Sequence, residues 1–293
     1  MATGEGNDDA GQVERTSTLV AALSVGGRPG SFEVDDAIGL VRRAVEGVVQ
    51  PAMGIEITWH THASVSSDDL ESGLAATGAD GLDWSFAGGR LRADSPRTLA
   101  ITGVSTVMYE AFHQNPDMER YNPRMYVVDV TASFPPERAV RWPSDGLTVR
   151  VAMSRWAMYG GGERLDWIAP AIAAWMLDAG VALGADSGYV LAGASALTGD
   201  DNDWQQENGL RLGRHDPRRW LHAYGWGTLL GSGHLEVVGG IERLRAVSPL
   251  VTELPGGRAW VQLGDDPAGV TDDSMERLRS VLSAVLPLPE PGP

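Results

Sequence analysis

Tyr224-Gly225-Trp226-Gly227-Thr228-Leu229-Leu230-Gly231, followed within a few residues by a second glycine-rich segment, Gly239-Gly240-Ile241-Glu242-Arg243-Leu244, decides how the chain is read. The stretch joins aromatic, aliphatic and glycine positions too densely for a plain loop. It carries no nucleophile, carboxylate pair or phosphate-cradling pattern. Trp226, Leu229 and Leu230 suit a core, and glycines allow the chain to turn tightly between a strand and a helix. Trp226, Gly231, Gly239 and Gly240 are therefore expected to be structural residues.

The pattern around this landmark is α+β. Leu147 to Met153 reads as an apolar strand, and Leu165 to Val181 as a helix with Ile168, Ile172, Trp175, Met176 and Ala179 inward and Pro170 in its first turn. Tyr189 to Ala194 is the next strand. A glycine-broken helical stretch runs from His234 to Val247, and Leu250 to Leu254 and Arg258 to Leu263 flank Pro255-Gly256-Gly257 as a hairpin. Thr271 caps a last helix whose inward face is Met275, Leu278, Val281, Leu282 and Val285.

The first half opens with strand Leu19 to Val25, then a helix capped by Asp35 with Ile38, Val41, Val45, Val48 and Val49 on its apolar face, then strand Gly54 to His62. Asp68 to Thr77 reads as a short helix with Leu70, Leu74 and Ala75 on one side. Leu82 to Phe86, Leu99 to Val107 and Met125 to Phe134 read as strands, and Met108 to His113 as the start of a short helix.

The expected fold is a largely antiparallel sheet with helices packed on one face. Both halves begin strand, helix, strand, which leaves room for two related βαβ-containing sub-halves, 17–140 and 145–287, within one domain over 17–287. No sequence repeat establishes the duplication. Residues 1–16 read as a flexible acidic tail and 288–293 as a flexible Pro-rich one.

Composition narrows the function. With 293 residues, 43% of them hydrophobic, the chain can bury a core. It has no cysteine, which removes disulfides, thiolate metal sites and cysteine nucleophiles. All 23 basic residues are arginine, so no lysine exists for a Schiff base or a phosphate loop. Against them stand 39 acidic residues, a net charge of -16 that repels nucleic acid and anionic membranes and favours soluble cations or a basic protein partner. No segment approaches a membrane span and the start is not a signal sequence, so the expected location is the cytoplasm.

Candidate chemistry is sparse, and no catalytic residue or cofactor is expected. His60 and His62 lie two apart on a strand, as a zinc site could require, with Asp68 or Asp69 as a third ligand; two surface histidines beside a turn are the plainer reading. Gly227, Gly231 and Gly233 lack the strand-to-helix spacing of a phosphate loop. Gly193-Ala194-Ser195-Ala196-Leu197 lacks the closing glycine of a nucleophile elbow. Asp200, Asp201, Asp203 and Glu207 surround Trp204, which reads either as a solvated loop or as an aromatic anchor ringed by charge, the form of a partner-binding hot spot.

Five segments in order resemble the type VI immunity family, bacterial proteins associated with polymorphic toxins. They are Gly162-Glu163-Arg164-Leu165, Ser187-Gly188-Tyr189, Trp226 to Gly231, Gly239 to Arg245, and Val261-Gln262-Leu263-Gly264 before Asp265-Asp266-Pro267. The resemblance covers roughly Leu147 to Pro287. Gly227 departs from it, standing where a bulkier residue is expected. The resemblance implies a non-enzymatic protein that binds and neutralises a cognate toxin, particularly a nuclease of the restriction-endonuclease fold. Two other readings stand beside it: a partner-binding structural module of a bacterial assembly, and a metal-dependent enzyme using His60 and His62.

Overall fold

The computed structural model describes residues 19–26, 34–49, 57–64, 71–77, 98–105, 128–133, 147–153, 168–192, 210 and 216–288. Its centre is the most apolar short run in the chain: Leu19–Val25 forms β1, in which every residue is buried. A strand buried on both faces needs neighbours on both edges, and β1 has them. It pairs antiparallel with β6 (Leu147–Met153) on one side and with β7 (Ser187–Ala192) on the other.

Among the described residues a ten-stranded sheet extends both ways from that centre. Four strands lie beyond β6: β2 (Ile57–Ser64), β3 (Glu71–Thr77), β4 (Thr98–Ser105) and β5 (Val128–Ser133). Beyond β7 come β8 (Gly227–Leu230), β9 (Leu250–Leu254) and β10 (Arg258–Gln262), and the spatial order is β3-β2-β4-β5-β6-β1-β7-β8-β10-β9. Every neighbouring pair is antiparallel. One sheet thus runs through both halves of the sequence, with the first strand placed between β6 and β7.

The α+β class is as the sequence indicates, but the helices divide between the two faces instead of covering one. Side chains alternate across a strand. Leu19, Ala21, Leu23 and Val25 accordingly share one core with Leu147, Val149, Val151 and Met153, under α1 (Val34–Ala44) and α2 (Ile168–Leu183). Val20 and Ala22 share the opposite core with Tyr189, Leu191, Leu230 and Val261. That core lies under α3 (Ser232–Val238), α4 (Ile241–Arg245) and α5 (Asp272–Leu282).

Two local readings differ from the sequence expectation. Residues 71–77, expected within a helix, form β3 paired with β2, because a waiting strand edge outweighs the helix propensity of Glu71, Leu74, Ala75 and Ala76. α1 begins at Val34, so Asp35 falls in its first turn instead of capping it, and α1 continues through a wider turn over Val45–Val49. The expected tail before residue 17, strand Leu82 to Phe86, helix start Met108 to His113 and residues 289–293 lie outside the described residues. Among the described residues no helix is long and apolar enough to cross a membrane.

Candidate functional site

The landmark stretch enters the core from both sides of the sheet. Tyr224 and Trp226 are among the largest fully buried side chains, Tyr224 on the α5 face and Trp226 on the α2 face. The Trp226 indole donates to the Gly264 carbonyl at 2.8 Å, which satisfies its one polar atom inside the core. Gly227 stands where a larger residue was expected because the Trp260 ring fills the space its Cβ would take.

The far end of β8 turns directly into α3. A Cβ at Gly231 would lie 2.6 Å from the Asp186 carbonyl oxygen, too close for any other residue. The Gly231 N–H donates to Nδ1 of His234 at 3.3 Å, so the histidine closes the first turn of the helix. At the other end Gly239 N–H donates to the Glu236 carbonyl and Gly240 N–H to the Leu235 carbonyl, a Schellman closure. Gly239 and Gly240 have φ of 89° and 93°, a conformation open to glycine and strained for residues with a Cβ.

A polar cluster has formed around this turn that the sequence reading did not anticipate. Asp186, at the entry to β7, accepts the Gly26 N–H through Oδ2 at 2.7 Å, and its own N–H donates to the Ser24 carbonyl at 3.0 Å. Arg218 passes over Gly26, where a Cβ would lie 2.9 Å from its Nε. Its guanidinium holds Asp216 with two bonds, Nε to Oδ1 and Nη2 to Oδ2, each 2.9 Å. His234 completes the group: its imidazole lies against the Asp186 backbone, and its Nε2 is buried without a hydrogen-bond partner among the described residues.

The titration behaviour follows from these surroundings. Burial raises Asp186 above the usual carboxylate range, against the pull of the Gly26 N–H and of Arg218. Burial also opposes ionisation of Asp216, but the Arg218 bonds outweigh it and hold the carboxyl below that range. Burial pushes His234 down to about 4, so it is neutral at physiological pH. Each group bonds within the protein: Asp186 ties the end of β1 to the start of β7, His234 closes the first turn of α3, and Asp216 and Arg218 pair within their own turn, with Arg218 packed over Gly26. No proton acceptor in it is paired with a nucleophile.

The residues singled out in the sequence do not converge on this cluster. His60 and His62 lie on β2, opposite Thr102 and Ala100 of β4, at the other wing of the sheet. Asp68 and Asp69, and the segment Asp200, Asp201, Asp203, Trp204 and Glu207, lie outside the described residues. Among the described residues no group of three histidines or carboxylates is placed to hold a metal ion. Asp272 and Asp273 occupy the first turn of α5, where the helix dipole favours them, and Asp273 lies 3.4 Å from Arg277. The cluster was hard to foresee because Gly26, Asp186, Asp216 and His234 are separated by long spans of sequence with no motif spacing.

A second feature is an open edge. β9 ends the sheet among the described residues, and Leu250, Thr252 and Glu253 are exposed on it. An outer strand presents unpaired N–H and C=O groups, which is a binding surface for another strand.

No family model and no curated protein matches this sequence. The structure is similar to that of the Pseudomonas aeruginosa T6SS protein PA0821, with a TM-score of 0.53 and 13% identity, over 91% of this chain and 72% of that one. At that identity the likeness is one of fold.

Proposed function

We propose that this chain is a partner-binding protein of a bacterial type VI system, and more specifically an immunity protein that neutralises a cognate toxin by binding it. The observation that carries the reading is the fold shared with a T6SS protein over 91% of this chain. The net charge of -16 supports the finer form: a nuclease toxin needs a basic groove to hold its phosphate substrate, and an acidic inhibitor gains association rate and competes for that groove. Binding requires no catalytic group.

The test is coexpression with the toxin encoded beside its gene. Growth is expected to be rescued, and the purified pair to form a one-to-one complex whose association rate falls as salt is raised. Absence of both protection and a complex overturns the reading. A complex that forms at a rate indifferent to salt, without protection, points instead to a structural module with an apolar interface.

A further inference from the structure

The two strands that are outermost among the described residues are built differently. At β3 the pairing with β2 slips between His60 and His62, and an irregular edge of this kind is a common guard against unwanted strand addition. β9 has no such guard. Its five residues pair with β10 in unbroken register, it contains no proline, and Glu253 is its one charge. It is also firmly backed, because Ser248 beside it donates to the Gln262 carbonyl at 2.6 Å and accepts from the Leu250 N–H.

We infer that β9 pairs antiparallel with the β9 of a second copy of this chain, about a two-fold axis at Thr252, so that the two sheets become continuous. The sequence of the strand is self-complementary in that register. Leu250 faces the partner's Leu254, Val251 faces the partner's Glu253, and Thr252 faces the partner's Thr252. Like charges never meet, and threonine and leucine pairs across strands are favourable. The charge distribution permits the approach. Residues 216–288, which include β9, carry nine carboxylates and seven arginines, a net of -2 out of the chain's -16. The repulsive part of the charge therefore belongs to the rest of the sequence. Of the large hydrophobics exposed among the described residues, Leu250 is the one on this strand, and pairing covers it.

The inference is independent of the immunity reading and is tested on the full chain alone, by light scattering and sedimentation across protein and salt concentrations. The expected mass is twice 31.2 kDa at high concentration. Salt is expected to tighten the association, because it screens the like charge elsewhere on the two copies. Thr252→Glu and Thr252→Arg each set like charges face to face on the axis and weaken the dimer by about fivefold or more, and mixing the two variants restores it through a Glu–Arg pair. Thr252 is exposed, so both variants keep the unfolding temperature of the parent within the range of ordinary surface changes. A chain that stays monomeric at every concentration and salt, a dimer indifferent to both substitutions, or a mixture that fails to reassociate each overturns the inference.

Discussion

On the sheet face under α1 and α2, the buried layer runs from Leu19 through Val149, Ile172 and Met176 to Trp226 and Trp260 without a buried hydroxyl or charged group among the described residues. On the face under α3, α4 and α5 the buried layer is interrupted by polar side chains. Strand alternation puts Ser24, Ser187 and Thr228 there, and His234 and Ser248 belong to the helices and turns that cover it. The first face is held by area, which is non-directional and tolerant of how the helices lie. The second is held by bonds at element ends: Gly231 to His234, Arg243 to the Val238 carbonyl at 3.1 Å, and Ser248 to Gln262. Short helices such as α3 and α4 bury little area, so their positions have to be fixed by such contacts.

The contrast is broken most directly at Trp226, whose ring lies in the apolar layer. Trp226→Ala is expected to cost about 3 to 5 kcal/mol, as truncation of a buried aromatic does, while the Gly264 carbonyl keeps the Gln262 Nε2 donor at 2.9 Å. Urea unfolding at pH 7 measures it. Because the loss is one of packing, it should be the same at pH 5 as at pH 7. A cost below about 1 kcal/mol, the range of ordinary surface changes, would mean that Trp226 does not hold this face together.

The polar-anchored face should respond to pH where the apolar one does not. His234 is held neutral by burial, with the neighbouring His222 charge also disfavouring its protonation, while the Asp186 carbonyl and Asp216 pull the other way. Its folded pKa of about 4 lies below the unfolded value of about 6.5. The unfolded chain therefore takes up a proton first as pH falls. Stability from this residue is complete above about 6.5 and is lost as pH drops toward 4, to a total on the order of 3 kcal/mol. Chemical denaturation of the parent and of His234→Gln across that window separates this residue from the carboxylates. The difference between the two profiles should slope between those pH values and flatten below them. Parallel profiles would show that the buried histidine is not what makes this face acid-sensitive.

The two faces also differ in how far they could be read from sequence. β1, β6 and the β9–β10 hairpin stand where the apolar runs and the Pro-Gly-Gly turn put them, and α2 is recognisable because it is apolar nearly all round. What the pattern could not give was pairing. Nothing in Leu19–Val25 says that its neighbours are residues 147–153 and 187–192, more than a hundred positions away. An amphipathic stripe likewise tells that a helix is buried without telling on which face, which is why α5 and α2 could not be assigned to opposite sides. β3 was hidden because Ala75, Ala76 and Leu74 favour a helix until an edge is available to pair with. The Asp186 cluster was hidden for the same reason as the pairing: its members meet only after the sheet has formed.

The smallest effect expected sits at the start of α5, which covers the polar-anchored face. Thr271 accepts the Ser274 N–H through Oγ1 at 3.2 Å, and Ser274 Oγ accepts the Thr271 N–H at 3.1 Å, a reciprocal capping box on an exposed turn. Thr271→Ala removes one of these bonds and should cost about 1 kcal/mol. Thr271→Asp keeps a capping oxygen and adds a charge that suits the helix N-terminus, yet it joins Asp272 and Asp273, so it should return no more than the loss. If α5 is docked chiefly through Leu278, Val281 and Leu282, the alanine variant will lose less than this and hydrogen exchange will stay slow along the helix. A loss of the expected size, with exchange quickening first in the opening turn of α5, would place this helix with α3 and α4 among the elements whose ends decide how firmly they sit.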